Sequence, residues 1–371
     1  MFSKVIMDLQ KIAKRIINEN LSVKEKEMVV ISAGPKSLKF AEMLAYESSM
    51  IGAQPAIMYG SSEHILKTYK NINSKFLRNI PELSKIISRN SDVEIHIDES
   101  NPFLDRQLPQ NKLEIRRKTV KPLRDFVEKR ILKKTIKSVL MGFPTEEEAK
   151  ALGINFNKLN RIFWNTLDVD YNELYKFNKK LSKHFKNADK IRITGKNTDL
   201  KLSVKGRPAL NSCGLWEKEK GGFFNLPDGE LFFAPVENSA NGEIYFDLPT
   251  LWHYGKQVEG VWFKFKNGKV VEYQIDKGKE AFEDIISNAS GNKLNIAELG
   301  IGTNPRARPT GGLTIVDEKV MGTIHLAIGN NIGFGGKSDA TIHWDFFKEM
   351  RNKSLLEVDG KPVMVNGKFV D

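Results

Sequence analysis

Near residue 187 the hydrophobic period of this chain changes from that of helices mixed with strands to that of strands alone, which narrows the folds open to it. After that point KIRITG, DLKLSVKG, GELFFAP, GEIYFD and GVWFKFKNGKVVEYQID are short alternating runs separated by Gly, Asn and Pro turns, and KNGK is a hairpin signal. Before it, MVVISAG and QPAIMYG read as strands flanking a helix, PKSLKFAEMLAYESSMIGA, with Leu38, Ala41, Leu44 and Ala45 on one face. VEIHIDE adds a further strand, TEEEAKALG opens a helix with acids in its first turn, and an amphipathic stretch runs from Asp170 to Phe185. The expected fold class is an α/β N-terminal domain with Rossmann-like βαβ units, residues 1–186, followed by an α+β, β-rich domain, residues 187–371. A length of 371 residues suits two such domains. The Gly34-Pro35 turn lacks the other glycines of a dinucleotide fingerprint, so no nucleotide cofactor is expected there.

A net charge of +12 raises the question of nucleic acid. Much of that charge is local, with twelve Lys or Arg against four Asp or Glu between Asn101 and Leu140. Apolar residues recur there at three- and four-residue intervals without an aromatic ladder, so the stretch reads as a solvated helix face and nucleic acid is not an expected partner. The single cysteine, Cys213, excludes an intramolecular disulfide and a thiolate zinc site, so any metal sits on oxygen and imidazole. The N-terminus, MFSKVIMDLQKIAKRI, has helical spacing without the continuous apolar core of a signal peptide. No run approaches the roughly 20 apolar residues that span a bilayer. A cytoplasmic protein with no membrane partner is the expectation.

The candidate site residues lie in the last third. In TIHWDFF, residues two apart share a side of a strand, so Thr341, His343 and Asp345 face one way and Ile342, Trp344 and Phe346 the other. An imidazole and a carboxylate are thereby presented together over an apolar backing. His325 in GTIHLAIG would by itself more often be a hydrogen-bonded strand histidine, and the His343–Asp345 pair strengthens its reading as a ligand. Glu230 follows a Pro-Asp-Gly turn, where glutamates are usually solvated. The strongly apolar LFFAPVENSANG after it instead places it at the mouth of a buried strand, where a carboxylate needs a counter-charge. Glu298 in IAELGIGTNP is another charge where water is scarce, and Glu318 in VDEKVMG is a further candidate or a plain turn residue. His64 and His184 read as surface residues, His96 as a strand histidine without a ligand partner, and His253 as exposed beside aromatics. Three carboxylates and two imidazoles exceed the needs of one tetrahedral zinc and suit two divalent ions sharing a bridging carboxylate. Such a pair activates a shared water and polarises a carbonyl, and amide hydrolysis is the natural chemistry.

The segments KIRITGKNTDLKLSVKGR, NLPDGELFFAPVENSANG, AELGIGTNP, GTIHLAIGNN and SDATIHWDFF, in this order, resemble the M29 metallopeptidases, the aminopeptidase T family of thermophilic and bacterial aminopeptidases. Upstream, FPTEEEAKALG and the VVISAG to GAQPAIMYG unit are similar to that family's N-terminal domain, and the likeness is strongest from Met141 to Phe347. The resemblance implies a metal-dependent aminopeptidase that removes N-terminal residues from peptides through a water activated by two ions. It implies zinc, cobalt or manganese as the metal and a homodimer enclosing its active sites. Its C-terminal domain would bind the metals, with Glu230, Glu298, His325, His343 and Asp345 at the metal positions and Glu318 as an added candidate at a different spacing. Glu298 would bridge the ions and assist the attacking water. Two departures stand out: NNIGFGG has no tyrosine where better-known bacterial members carry one, and the interval from His325 to His343 is shorter. The alternatives are a non-catalytic metal-binding scaffold, which the missing tyrosine favours, and a nucleic-acid-binding accessory protein resting on the basic stretch.

Overall fold

The computed structural model of the chain describes residues 8–99, 101–218, 222–252 and 256–370, apart from the side chains of Trp252 and Lys256, so His253 lies outside the described residues. Contacts divide the chain into two compact units, Met1–Ala149 with Gly214–Leu226, and Lys150–Cys213 with Pro227–Asp371. This division does not follow the boundary drawn at residue 187. Helices Phe156–Leu167 and Tyr171–Leu181 belong with the strands after them: Asn304 Nδ2 donates to the Thr166 carbonyl at 3.1 Å, and Leu181 and Phe185 join the same apolar cluster as Ile191 and Ile193.

In the first unit Gln54–Tyr59, Met28–Ala33, Val93–Asp98, Lys137–Gly142 and the returning segment Phe223–Leu226 lie side by side, in that order, as a parallel sheet. The helix after the first strand runs from Leu38 to Met50 and buries Phe40, Ala41, Leu44 and Ser48, with Leu38 and Ala45 at the margin of that stripe. Pro55, which offers no backbone N–H, sits on an edge strand, where none is needed. At the start of the helix the Glu99 carboxylate accepts hydrogen bonds from the backbone N–H groups of Lys36 (3.0 Å) and Ser37 (2.6 Å). A Cβ at Gly34 would collide with that carboxylate. The chain's own acid thus occupies the helix start at which dinucleotide-binding folds seat a phosphate. The basic stretch forms helix Gln110–Leu132, which buries none of its side chains, and it accommodates Pro122 in mid-helix.

Thr145 caps the short helix Glu146–Ala151, and the Glu148 N–H donates to its hydroxyl at 3.1 Å. Burial, with Asp98 nearby, pushes the Glu148 carboxyl up to about 8. A carboxyl raised in the folded chain binds its proton more tightly than in the unfolded one. Stability is therefore unaffected below the ordinary value of 4.5 and falls as pH rises from there to about 8. Glu148→Gln is expected to match the wild type near pH 4.5 and to gain on it by up to about 1.4 kcal/mol per pH unit above that. Denaturant unfolding at several pH values reads this gap, and a gap independent of pH would show Glu148 ionised in the fold.

The second unit holds two antiparallel sheets. The larger follows the order Thr250–Trp252, Lys256–Lys266, Asn241–Phe246, Thr198–Ser203, Lys190–Gly195, Leu355–Val358, Lys361–Val365 and Lys368–Phe369, with Lys269–Lys277 also paired to Lys256–Lys266. The turn of that last hairpin places Asn267 and Gly268 at φ of 49° and 77°, as the KNGK signal requires. The smaller sheet follows the order His343–Glu349, Thr323–Gly329, Ile296–Gly302, Glu230–Phe233 and Leu210–Ser212. Ile191, Leu200, Ile244 and Phe263 of the first sheet share one core with Leu299, Leu326, Trp344 and Phe346 of the second. Phe263 and Phe346 meet edge to face at 4.9 Å. One face of the smaller sheet is thereby anchored, and the other carries the polar residues.

Candidate metal centre

Sheet register brings the candidate donors together. Asp345 lies opposite Ala327, and Ala327 lies opposite Glu298. His325, two residues along from Ala327, faces Gly300, and Glu230 faces Gly302. His343 faces Gly329. Residues two apart on paired strands share a face, so carboxylates and imidazoles alternate with Ala and Gly across one surface. A Cβ at Gly300 would run into the His325 ring, so its absence lets the imidazole lie across the middle strand toward Glu230 on the far one. Glu298 reaches this face through a bulge. The register shifts between Ile296 and Glu298, so these residues, which would share a side in a regular strand, divide between core and site.

His325 Nε2 stands 3.2 Å from Glu298 Oε1 and 3.3 Å from Glu230 Oε2. His343 Nε2 stands 3.4 Å from Glu298 Oε2 and 3.6 Å from Asp345 Oδ1. The result is two groups of potential ligands, Glu230–Glu298–His325 and Glu298–His343–Asp345, which share Glu298. His343 Nδ1 lies 2.7 Å from the Asn330 carbonyl oxygen, so a proton on Nδ1 donates to that oxygen and leaves Nε2 facing the carboxylates. Glu230, Glu298, His325 and Asp345 are buried, and the His343 side chain, 32% exposed, marks the open side. Thr341 precedes the strand and exchanges hydrogen bonds with Ser290, away from the cluster. Glu318 is in neither group, and its Oε2 is 2.9 Å from Lys319 Nζ.

The electrostatics follow from crowding acids out of water. Burial alone would raise the Glu298 carboxyl, but hydrogen bonds and charge from His325 and His343 outweigh it and hold it down at about 2. Burial pushes Glu230 up to about 8 against the pull of Lys319. His325 is raised to about 9: burial opposes its charge, and the bond to Glu298 and the field of Glu230 overcome that opposition. His343 is likewise held well above its ordinary value, by Asp345 and Glu298 against burial. The cluster therefore demands positive charge. Glu230 Oε2 and Asp345 Oδ1 are buried and accept no hydrogen bond, although each lies at ion-pair distance from an imidazole. Orphaned carboxylate oxygens aimed at two imidazoles fit a divalent cation of borderline hardness.

Three features of this site went unread in the sequence. Lys319 supplies the counter-charge that Glu230 requires, at 2.6 Å. Asp228, read only as part of a turn, accepts from Ser212 Oγ at 2.8 Å and lies 3.7 Å from Lys319. Phe334, the aromatic residue of the stretch that lacks a tyrosine, stands edge-on to His343 at 5.7 Å. The adjacent acid and lysine inside VDEKVMG were the one local signal for the first of these.

Such a donor set suits a divalent metal, and comparison with known proteins gives the class of protein that carries it. The family described as thermophilic metalloprotease (M29) matches residues 6–370. The chain belongs to that family and is a peptide hydrolase, for which the family implies a divalent metal. Aminopeptidase PepS of Streptococcus thermophilus is 21% identical, with 98% of each chain covered. Wild-type AmpT from Thermus thermophilus shares the fold at a TM-score of 0.79 and 19% identity, over 98% of this chain and 99% of that one. A 2,5-dihydroxypyridine dioxygenase from Pseudomonas putida KT2440 shares it at 0.64 and 14% identity, over 98% and 96%. One architecture thus carries different chemistries, and the site decides between them.

Proposed function

We propose that this chain is an aminopeptidase that removes N-terminal residues from peptides with two divalent ions, of zinc, cobalt or manganese type. Glu230, Glu298 and His325 would hold one ion, and Glu298, His343 and Asp345 the other. The observation that carries this reading is the division of one carboxylate between two imidazoles, Glu298 Oε1 toward His325 and Oε2 toward His343. Charge supports it. Asp228, Glu230 and Glu318 surround the ammonium of Lys319 while Glu298 and Asp345 stand beside the imidazoles, so with those rings neutral as ligands the site carries a negative surplus that one divalent ion would leave uncompensated and two would balance. The name of the relative from Streptococcus thermophilus supports the choice of aminopeptidase among peptide hydrolases.

Bound ions of this type supply a water that ionises near neutral pH and a Lewis acid for the scissile carbonyl. The chain's own residues do the rest. Glu298, whose oxygens face His325 and His343, would take the proton given up by the attacking water. Asn330 orients His343 through its backbone carbonyl. The buried sheet face excludes bulk water, and substrate enters on the side of His343. Phe334, edge-on to His343, has no hydroxyl to donate to a tetrahedral intermediate.

Elemental analysis after reconstitution is expected to give two ions per chain, and no more than one at saturating metal would defeat the two-ion site. A panel of aminoacyl amides tests the activity: free-amine substrates should be cleaved and their N-acetylated forms should not. Cleavage of both would make the enzyme an endopeptidase. A homodimer in the cytoplasm completes the proposal, and light scattering of the purified protein reads the assembly. Among the described residues no helix is long and apolar enough to cross a membrane.

A further inference from the structure

Lys319 is a cation enclosed in a site that otherwise gathers anions, and the hydrolytic chemistry above gives it no role. The backbone fixes where it starts: the Lys319 N–H donates to the Val316 carbonyl at 3.1 Å, and its own carbonyl accepts from the Asn304 N–H at 2.9 Å. Its side chain is 0% exposed, and Nζ reaches Glu230 Oε1 at 2.6 Å, Glu318 Oε2 at 2.9 Å and Asp228 Oδ1 at 3.7 Å. Stability alone explains such a group poorly, since buried ion pairs are often replaced by apolar residues at no loss.

What the lysine does is divide the two oxygens of Glu230. Oε1 is taken by the ammonium, while Oε2 is buried, accepts no hydrogen bond and lies 3.3 Å from His325 Nε2. Glu318 is turned to the same ammonium and joins neither ligand group. We propose that Lys319 is a positioning residue that presents Glu230 to the metal through one oxygen and withholds Glu318 from the donor set. The inference rests on the two-ion reading. A carboxylate clamped on one oxygen is preorganised as a single donor, whereas a released one turns or chelates through both.

Lys319→Met keeps an unbranched side chain one atom shorter and removes its charge. The probe is cobalt(II), titrated into metal-free protein and followed by calorimetry and by the visible absorption bands that report coordination. Wild type should take up two ions. In Lys319→Met the ion served by Glu230 should bind about 10- to 100-fold more weakly with altered bands, while the other changes only a few-fold. Removing a positive charge would by itself strengthen binding of a dication, so selective weakening is a signature of lost positioning. A uniform gain at both ions would reduce Lys319 to a charge. Equal losses at both ions with a lowered Tm would reduce it to a structural residue, and unchanged titrations would remove it altogether. Wild type binding fewer than two ions would sink the two-ion reading instead. Glu318→Gln decides the matter if Lys319→Met does not fold: both ions should remain within a few-fold of wild type, and loss of one would make Glu318 a ligand and overturn the assignment.

Discussion

Glu298→Gln is expected to fold, to retain part of its metal and to lose turnover by on the order of 10²- to 10⁴-fold from the missing base, with a further loss from the broken bridge. Glutamine fits the same space on the sheet face, so the fold has no reason to fail. Its amide, however, offers one oxygen and one NH₂ where the carboxylate offers an oxygen to each of His325 and His343. One imidazole keeps an acceptor and the other meets a donor. Ion content and kcat measured on the same preparation separate the two losses. A variant with normal metal content and nearly normal kcat would remove Glu298 from the mechanism.

Asp345→Asn should weaken the ion that it shares with His343 by about 10- to 100-fold, or more if it ligates directly. The carboxylate is buried, and its Oδ1 accepts no hydrogen bond, so a neutral amide oxygen there forfeits charge and no protein contact compensates. Hydrolysis should fall with it at limiting metal and recover in part at excess metal. Calorimetric titration showing two ions at wild-type affinities would make Asp345 a bystander.

The sequence made individual strands legible because their period is local. HWD placed an imidazole and a carboxylate on one side, and the structure pairs both residues with one neighbouring strand, at Gly329 and Ala327. What it could not show depends on pairing across distance. Counting by two from Ile296 puts Glu298 in the core, and only the bulge beside it turns the carboxylate to the site. Phe223–Leu226 has no local mark assigning it to the parallel sheet begun at Met28. Tyr171–Leu181 has a helix period like those before it, and only the burial of Leu181 and Phe185 against Ile191 and Ile193 joins it to the second unit. Lys319 lies next in sequence to Glu318 yet acts on Glu230, 89 residues away.

The glycine under the His325 ring has a consequence for how this site tolerates sequence drift. Because the imidazole crosses the middle strand at Gly300, separations between donors follow the spacing of hydrogen-bonded strands, about 4.8 Å apart, rather than the path of any loop. Insertions and deletions between strands then change the numbering of the donors without moving them. The interval from His325 to His343 is loop of this kind over most of its length, and the register on either side of it sets Gly329 opposite His343 and Ala327 opposite Asp345. A chain built this way can diverge widely in loop length while the coordination cage stays on the same lattice of backbone bonds.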